Sequence, residues 1–462
     1  MEYATVVRAA ALYLPLTVTA VVWLWWPPTP RGRAAAILAA GWNVVALLMV
    51  HVAAAREGWW TFGVTDATVA GFPVDLYVGW VVMWGLLAAR VAERVPMAVV
   101  VLGALLIDLV AMPRMRPVVV LGETWLIGEL VAESVCLVPA LFLASWTRNA
   151  AHVGRRATLQ ALTFGGLSLV VLPQVILEQT GGSWAALSDR PSWVVGLLGQ
   201  GVAALGLLGV SAVQEFATRG HGTPVPFDPP TRLVVSGPYA YVRNPMQLSA
   251  ALVLVSWGAL VGSWWVVAGG GMAVIYAAGF ATGDEAADLE QRFGSAWGQY
   301  RSLVRPWVPR WRPADFGALA PVATLYVAEE CGPCSEVRAW FTARSPVALA
   351  IVAAERHPSR TLSRITYDPG DRTGDLQGVA AVARALEHVH LGWAMLGMLV
   401  RLPGICQILQ LITDASGGGE RRVARYCDCA GSALDTPGGN YDETETPETA
   451  GSGERRFSAI TR

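Results

Sequence analysis

The chain contains no lysine, and all 34 of its basic residues are arginines. Charged residues make up only 15% of its 462 residues, whereas 54% are hydrophobic. An ordinary soluble domain carries about 25% charged residues, so much of this chain cannot belong to that class. The formal net charge of -1 gives no indication of nucleic-acid binding. Exclusive use of arginine suits a GC-rich genome, and we therefore expect a bacterial protein.

Cysteine is also scarce, with six residues in the whole chain. Their spacing does not form the framework of a small, disulfide-stabilised secreted domain. Cys136 lies in an apolar run and is expected to be an inert core residue. The first apolar run lacks a cationic start and a small-residue cleavage site, so we expect no cleaved signal peptide.

Long apolar runs are abundant in the first 280 residues. A membrane-spanning helix needs about 20 mainly apolar residues. We predict a mainly α, polytopic membrane protein with about nine spans, at residues 9–26, 34–54, 76–92, 96–113, 124–146, 159–178, 193–214, 246–263 and 265–282.

The arginines are divided unequally between the loops on the two sides of these spans. Ten fall in alternate loops, namely Arg31, Arg33, Arg90, Arg94, Arg148, Arg155, Arg156, Arg219, Arg232 and Arg243. Five fall in the opposite set, namely Arg8, Arg56, Arg114, Arg116 and Arg190. Because cytoplasmic loops carry the excess of positive charge, this pattern predicts an external N-terminus. The segment 215–245 and everything after residue 283 would then lie in the cytoplasm of a bacterial plasma membrane.

Charges become frequent after residue 283, and the pattern changes to that of smaller elements. Apolar residues at 289, 293, 297 and 300 predict one amphipathic helix over 284–304. Residues 322–327 are typical of a buried strand, and 333–343 and 377–389 of helices. The apolar stretch 391–412 contains Arg401 and Pro403, which favours helices packed on a small domain over a tenth span. The polar tail is expected to be disordered. We therefore divide the chain into four segments, namely the N-terminal spans 1–205, the segment 206–313 that contains the last two spans, the small domain 318–425 and the tail 426–462.

A loop rich in glycine and proline precedes the eighth predicted span, over residues 219–246. Pro245 suits the first turn of a helix, where free N–H groups can bind an anion. Arg243 offers a bidentate partner for a carboxylate. The rings of Tyr239 and Tyr241 could stack on a base or face a cation. A simple turn between two spans remains the alternative, and His221 is expected to be an ordinary loop histidine.

This loop, the tight helix pair after it and the Glu285-x-x-x-Leu289-x-x-x-Phe293-Gly294 helix together resemble the isoprenylcysteine carboxyl methyltransferase and phospholipid methyltransferase superfamily. The ending from Val304 to Trp311 is similar to the same pattern. The resemblance covers about residues 210–313 and implies an S-adenosylmethionine-dependent methyltransferase with a cytoplasmic cofactor site. It implies that the cofactor is bound by Gly237, Pro238, Tyr239, Tyr241, Arg243, Asn244, Pro245 and Glu285, with Arg243 and Glu285 also catalytic.

Three positions depart from the family pattern, namely Gln247, Ala286 and Trp297. Methyl transfer to an ionised carboxylate needs no general base, so catalysis would consist mainly of alignment and exclusion of water. An amine or hydroxyl acceptor would need a base such as Glu285. A solvated helix face is the alternative interpretation of that glutamate. The acceptor could be a lipid, a quinone precursor, a small amphiphile or a protein C-terminus.

A C-x-x-C motif, Cys331-Gly332-Pro333-Cys334, follows the predicted strand and begins a helix. Cys331 is expected to be the attacking thiolate and Cys334 the resolving thiol. The motif matches the thioredoxin active site, and residues 322–425 resemble the DCC family of thiol–disulfide oxidoreductases. The resemblance implies a thioredoxin-like α/β domain with a thiol redox partner, although the family's usual Asp-Gly-Asp is absent. A zinc site completed by Cys427 and Cys429, or two incidental cysteines, are the alternatives; we predict no metal.

Three acidic residues lie within apolar runs of the N-terminal spans, namely Asp108, Glu129 and Glu133. Ionisable groups there indicate function by default, for example a proton path or a contact to a substrate headgroup. A buried structural network is the alternative. The sequence thus supports a methyltransferase fused to a redox domain, with two competitors. One is a membrane redox carrier anchored by a degenerate methyltransferase fold, and the other is a transporter built on the N-terminal spans.

Overall fold

The computed structural model describes residues 2–225, 228–276, 282–329, 331–371 and 373–420. Within them, seven helical segments of 18 to 28 residues are long and apolar enough to cross a bilayer. They are α1 (Tyr3–Trp25), α2 (Pro30–Glu57), α3 (Val74–Val91), α4 (Met97–Met115), α5 (Trp125–Arg148), α6 (Val153–Thr180) and α7 (Ser192–Arg219). The chain is therefore a mainly helical protein with about seven candidate membrane spans.

The helix α2 is the centre of the N-terminal bundle and contacts α3, α5 and α6. Its contact face is built from small residues, because Ala35 and Ala39 are fully buried. Gly85 of α3 lies against α2 so closely that a Cβ atom there would be 2.5 Å from the Ala40 Cα atom. Small residues let helix backbones approach, which is how helices pack in lipid without a hydrophobic driving force between them.

The loops after α2 and α4 contain short strands that the sequence pattern did not predict. They are β1 (Trp60–Phe62), β2 (Thr68–Val69), β3 (Phe72–Pro73) and β4 (Val119–Leu121). β1 pairs antiparallel with β4, and β2 pairs antiparallel with β3. Runs of two or three residues show too little alternation to be recognised as strands.

The last two predicted spans form a hairpin of shorter helices, α8 (Pro245–Val261) and α9 (Trp264–Tyr276). Pro245 begins α8, as predicted. Gly262 ends that helix in the left-handed region, at φ +77°. At 17 residues, α8 is about 26 Å long, below the roughly 30 Å of a hydrocarbon core. The described count is therefore seven long spans plus this hairpin, and not nine equivalent spans; residues 277–281 lie outside the described ranges.

The single amphipathic helix predicted for 284–304 is two helices, α10 (Thr282–Phe293) and α11 (Ser295–Leu303). Gly294 separates them at φ +53°, a conformation in which an α-helix cannot continue. The apolar stripe nevertheless continues across the break. Leu289 and Phe293 of α10 pack in the same cluster as Trp297 and Tyr300 of α11.

The C-terminal part contains a four-stranded sheet with the order β6-β5-β7-β8. Its strands are β5 (Ala323–Val327), β6 (Leu349–Ala353), β7 (Thr366–Asp368) and β8 (Leu376–Gln377). β5 pairs parallel with β6 and antiparallel with β7, and β7 pairs antiparallel with β8. Helices α12 (Gly332–Ala343) and α13 (Val379–Leu386) follow the predicted positions closely.

The apolar stretch 391–412 forms two helices, α14 (Leu391–Val400) and α15 (Ile405–Thr413). As predicted, they pack on this domain, because α14 contacts α13. The sequence did not show that α14 also contacts the span α7, nor that the two helices meet at an angle of 88°. Together the bent pair is apolar enough to count as a broken span or a re-entrant segment. The predicted disordered tail, 426–462, lies outside the described residues.

Candidate functional sites

The loop before α8 has a defined backbone. Residues Gly237–Ala240 form one turn of 3-10 helix, and Gly237 adopts φ +60°. The loop pairs with the Pro- and Trp-rich segment after α11. The Arg243 N–H donates to the Arg305 carbonyl at 2.9 Å, and the Arg310 N–H donates to the Tyr241 carbonyl at 2.9 Å. Two segments about 60 residues apart in the chain therefore form one backbone unit.

A cavity of about 120 Å³ lies between this unit and helices α7, α10 and α11. Three of the predicted cofactor residues line it, namely Tyr239, Arg243 and Asn244. The remaining wall is largely apolar and is contributed by Phe216, Pro230, Leu233, Val234, Leu289, Trp297, Tyr300 and Arg301. The cavity is thus a cationic and aromatic site at the start of a membrane helix.

Arg243 and Trp297 are the chemically distinctive groups in this cavity. The Arg243 guanidinium carbon lies 5.7 Å from the centre of the Trp297 ring. The Trp297 side chain is buried, and its Nε1–H has no acceptor among the described residues. A buried donor without an acceptor costs roughly 1–3 kcal/mol, so a ligand oxygen or nitrogen at this position would be stabilised.

Tyr300 fixes the wall beside these two groups. Its hydroxyl donates to the Tyr239 carbonyl at 3.1 Å. Burial raises the pKa of the Tyr300 phenol well above its usual value, and Arg243 opposes that shift only in part. The phenol therefore stays protonated and acts as a structural donor, not as a base.

The other predicted cofactor residues are placed differently. Gly237 and Pro238 shape the turn, and Pro245 begins α8. Tyr241 points away from the cavity, because it is fully buried and its hydroxyl donates to the Glu387 carbonyl at 2.7 Å. Burial raises the pKa of Tyr241, so this phenol is also a fixed donor. In this structure Tyr241 is therefore a contact between the loop and the C-terminal domain, and it does not line the cavity.

Glu285 has its backbone in α10, one turn before Leu289, which lines the cavity. Its side chain lies outside the described residues, as does that of Ala286. Gln247, the first departure from the family pattern, does not line the cavity.

Trp297, Tyr300 and Phe216 are cavity residues that the sequence did not identify as such. The periodic apolar positions of α10 and α11 were a signal for the first two. That stripe predicted only an amphipathic helix, because spacing identifies the buried face of a helix and not what it encloses. Phe216 lies at the end of a span and gave no comparable signal.

The two thiols of the C-x-x-C motif lie together at the start of α12. Cys331 is the residue immediately before that helix, and the two Sγ atoms are 2.7 Å apart. In the described part of the chain, no group of three or more His, Cys, Asp or Glu side chains is arranged to hold a metal ion. Cys427 and Cys429, the partners of the zinc alternative, lie outside that part.

A buried ion cluster joins the two predicted functional regions. Glu215 lies near the end of α7. Arg384 of α13 donates to both of its carboxylate oxygens, at 2.5 and 3.1 Å. It also donates to Glu387 at 2.6 Å, and Arg401 donates to the same carboxylate at 2.5 Å. Ser236 of the loop donates to Glu215. The sequence gave no sign of this cluster, because its members are far apart in the chain.

The three acidic residues of the N-terminal spans are gathered in the bundle. Asp108, Glu129 and Glu133 are each at most 4% exposed. The Trp80 Nε1–H donates to the Asp108 carboxylate at 3.5 Å. One oxygen each of Glu129 and Glu133 has no partner among the described residues. The bundle therefore holds three buried acidic side chains on its spanning helices.

Comparisons with protein-family models, with curated proteins and with solved structures gave no match to this chain. The two family resemblances seen in the sequence therefore rest on their motifs alone. Any assignment of function rests on those motifs and on the geometry described above.

Proposed function

We propose that this chain is an integral membrane S-adenosylmethionine-dependent methyltransferase that acts on a lipid-like or amphiphilic substrate at the cytoplasmic face. The observation that carries the proposal is the cavity at the start of α8. It combines the Arg243 guanidinium, an aromatic wall and the Trp297 N–H without an acceptor.

The groups in this cavity suit the chemical features of the methyl donor. Arg243 would bind the carboxylate of the donor, and the rings of Tyr239 and Trp297 would face its base or its cationic sulfur. The Trp297 N–H would donate to a ligand acceptor. The donor, when bound, supplies an electrophilic methyl group on a sulfonium.

The protein then contributes to the reaction by aligning the two reactants and by excluding water. The loop is held by backbone bonds on both sides, and Tyr300 fixes Tyr239 through its carbonyl. Rigid positioning of two reactants can supply several kcal/mol of a barrier, on the order of 7–11 at best. Among the described residues, no carboxylate or histidine side chain lines the cavity.

The size of the cavity sets a condition on binding. A volume of about 120 Å³ is below the roughly 300–1,000 Å³ of a typical small-molecule site. We propose that binding requires α10 to move outward from the loop.

The proposal is tested by calorimetry of S-adenosylmethionine binding to the purified full-length protein in detergent. Arg243→Ala should weaken binding at least tenfold, because a charge-assisted hydrogen bond contributes about 1.5–3 kcal/mol. Arg356→Ala is the matched control, because Arg356 is an exposed arginine of the C-terminal domain. Wild-type protein that is folded and does not bind the donor would refute the proposal.

A second function is supported by a separate observation. Cys331 and Cys334 lie at a helix start with their sulfur atoms adjacent, which is the arrangement needed for reversible disulfide formation. We propose that the C-terminal domain is a thiol–disulfide oxidoreductase with a thioredoxin-like active site. Full-length protein should exchange with a soluble disulfide, and the double variant Cys331→Ser/Cys334→Ser should not. Cys406→Ser is the control and should exchange normally.

A further inference from the structure

The C-x-x-C thiols open onto a large cavity that the methyltransferase proposal does not use. Its volume is about 530 Å³, within the range of small-molecule sites. Both Cys331 and Cys334 line it. The facing walls are mainly apolar and include Val337, Val382, Leu386, Val400 and Leu409.

The charged and amide side chains at this cavity are already paired. Arg364 forms a bidentate ion pair with Asp414, at 2.6 and 2.9 Å. Gln410 accepts from the Val379 N–H at 2.9 Å and donates to Asp414 at 2.7 Å. The cavity therefore has no unpaired charged side chain that could bind a phosphate-bearing or peptide-like oxidant. Polar or charged groups of such a ligand would be buried there without partners, which is costly.

The helix α15 separates this cavity from the outside and exposes an apolar outer face. Its inner face contributes Leu409, together with Gln410 and Thr413, to the cavity wall. Its outer face exposes Ile408, Leu411 and Ile412, at 58, 68 and 55%. Three large apolar side chains on one exposed face of a short helix are unusual unless lipid or a partner covers them.

The membrane is the occupant that the surrounding structure favours for that outer face. Leu391–Val400 and Ile405–Gly418 form the bent apolar pair, and α14 contacts the span α7. Ala394 and Met398 of α14 pack in one cluster with Leu207 of α7. Leu207 lies roughly 18 Å from the cytoplasmic end of α7 at the helical rise of 1.5 Å per residue. α15 is thus joined to a helix that packs on a span, and lipid is the cover that we infer for its exposed face.

We propose that this cavity binds a lipophilic quinone that enters from the bilayer past α15, and that the Cys331–Cys334 dithiol reduces it. The inference rests on the proposed thiol–disulfide function and names its substrate class. In the step, the two thiols lose two electrons and two protons in total, and a bond forms between their sulfur atoms. The quinone accepts both electrons and both protons and leaves as the hydroquinone.

The test uses reduced full-length protein in lipid vesicles, without oxygen, and the short-chain quinone decylubiquinone. We expect the loss of two thiols per chain and the formation of one hydroquinone, neither of which occurs with Cys331→Ser/Cys334→Ser. Leu409→Trp fills the cavity from the inner face of α15 and should slow the reaction at least tenfold. Val322→Trp, an enlargement of an exposed apolar side chain that does not line the cavity, should leave the rate unchanged.

A soluble oxidant distinguishes the thiol–disulfide activity itself from the use of a quinone as the substrate. Oxidation of the dithiol by diamide should be equal in wild type, Leu409→Trp and Val322→Trp. A further variant, Leu411→Asp, should slow only the quinone reaction in vesicles, because a charge weakens contact of α15 with lipid. Reaction with diamide or a peptide disulfide but not with the quinone would overturn the substrate class and leave the redox function standing. Failure with every oxidant would remove both.

Discussion

The buried ion cluster between the membrane part and the C-terminal domain gives a quantitative prediction. Arg384 is 3% exposed, and its two partners, Glu215 and Glu387, are 2 and 3% exposed. Burial disfavours the charged guanidinium, but the two carboxylates outweigh it and raise the pKa of Arg384. The substitution Arg384→Met keeps much of the side-chain volume and leaves two carboxylates buried without their main partner.

Removal of one partner from a buried ion pair costs about 3–5 kcal/mol. Arg401 lies 2.5 Å from Glu387 and 4.0 Å from Glu215, and Arg219 lies 3.8 Å from Glu215, so each carboxylate keeps another arginine nearby. We therefore expect the lower end of that range, about 3 kcal/mol, for Arg384→Met. At 1.4 kcal/mol per factor of ten, opening of this interface becomes roughly two orders of magnitude more frequent.

Amide hydrogen exchange on the full-length protein in detergent measures this opening at β5 and α13. Arg360→Met is the matched control, because Arg360 pairs with Asp375 at the surface, with 47 and 25% exposure, and should change stability by less than about 1 kcal/mol. In the double variant Arg384→Met/Glu215→Gln, part of the loss should be recovered. An Arg384→Met effect no larger than that of the control would refute the argument from burial.

Three further perturbations have definite expected outcomes. Burial lowers the pKa of His388 to about 4 from an ordinary 6.5. The folded state is therefore fully stable with respect to this group above pH 6.5 and loses stability as the pH falls toward 4. Thermal unfolding of the C-terminal domain should show this pH dependence, and His388→Asn should abolish it. Trp297→Phe removes one N–H from the cavity and should weaken S-adenosylmethionine binding by roughly two- to tenfold in calorimetry, with unchanged thermal stability. Gly85→Ala should lower the stability of the N-terminal bundle by about 1–3 kcal/mol in thermal unfolding, since the new methyl group meets Ala40, whereas the same change at the uncrowded Gly103 should not.

The sequence predicted elements well where one local pattern decided them. Pro245 marked the start of α8, and the apolar runs marked the seven long spans. It failed where a single backbone conformation decided the outcome. Gly294 splits one predicted helix into two, although nothing in the periodicity of its neighbours distinguishes it from a helical glycine.

The candidate cavity was predicted in part, for a related reason. Arg243 and Tyr239 lie in the loop whose composition identified them, and both line the cavity. Tyr241 lies in the same loop, two residues after Tyr239, but its side chain points to Glu387, because the C-terminal domain packs against that side of the loop. Such contacts join residues about 150 positions apart. Local sequence carries no information on them.

The short helix α8 has a consequence for the surrounding lipid. A helix of about 26 Å in a hydrocarbon layer of about 30 Å is a negative hydrophobic mismatch. The bilayer relieves the mismatch most cheaply by becoming thinner beside the helix, at a fraction of a kcal/mol per Å. Local thinning draws lipid headgroups toward Asn244, which lines the cavity and directly precedes α8. Membranes of longer or shorter acyl chains should therefore change the distance between the headgroups and this cavity, without any change in the protein.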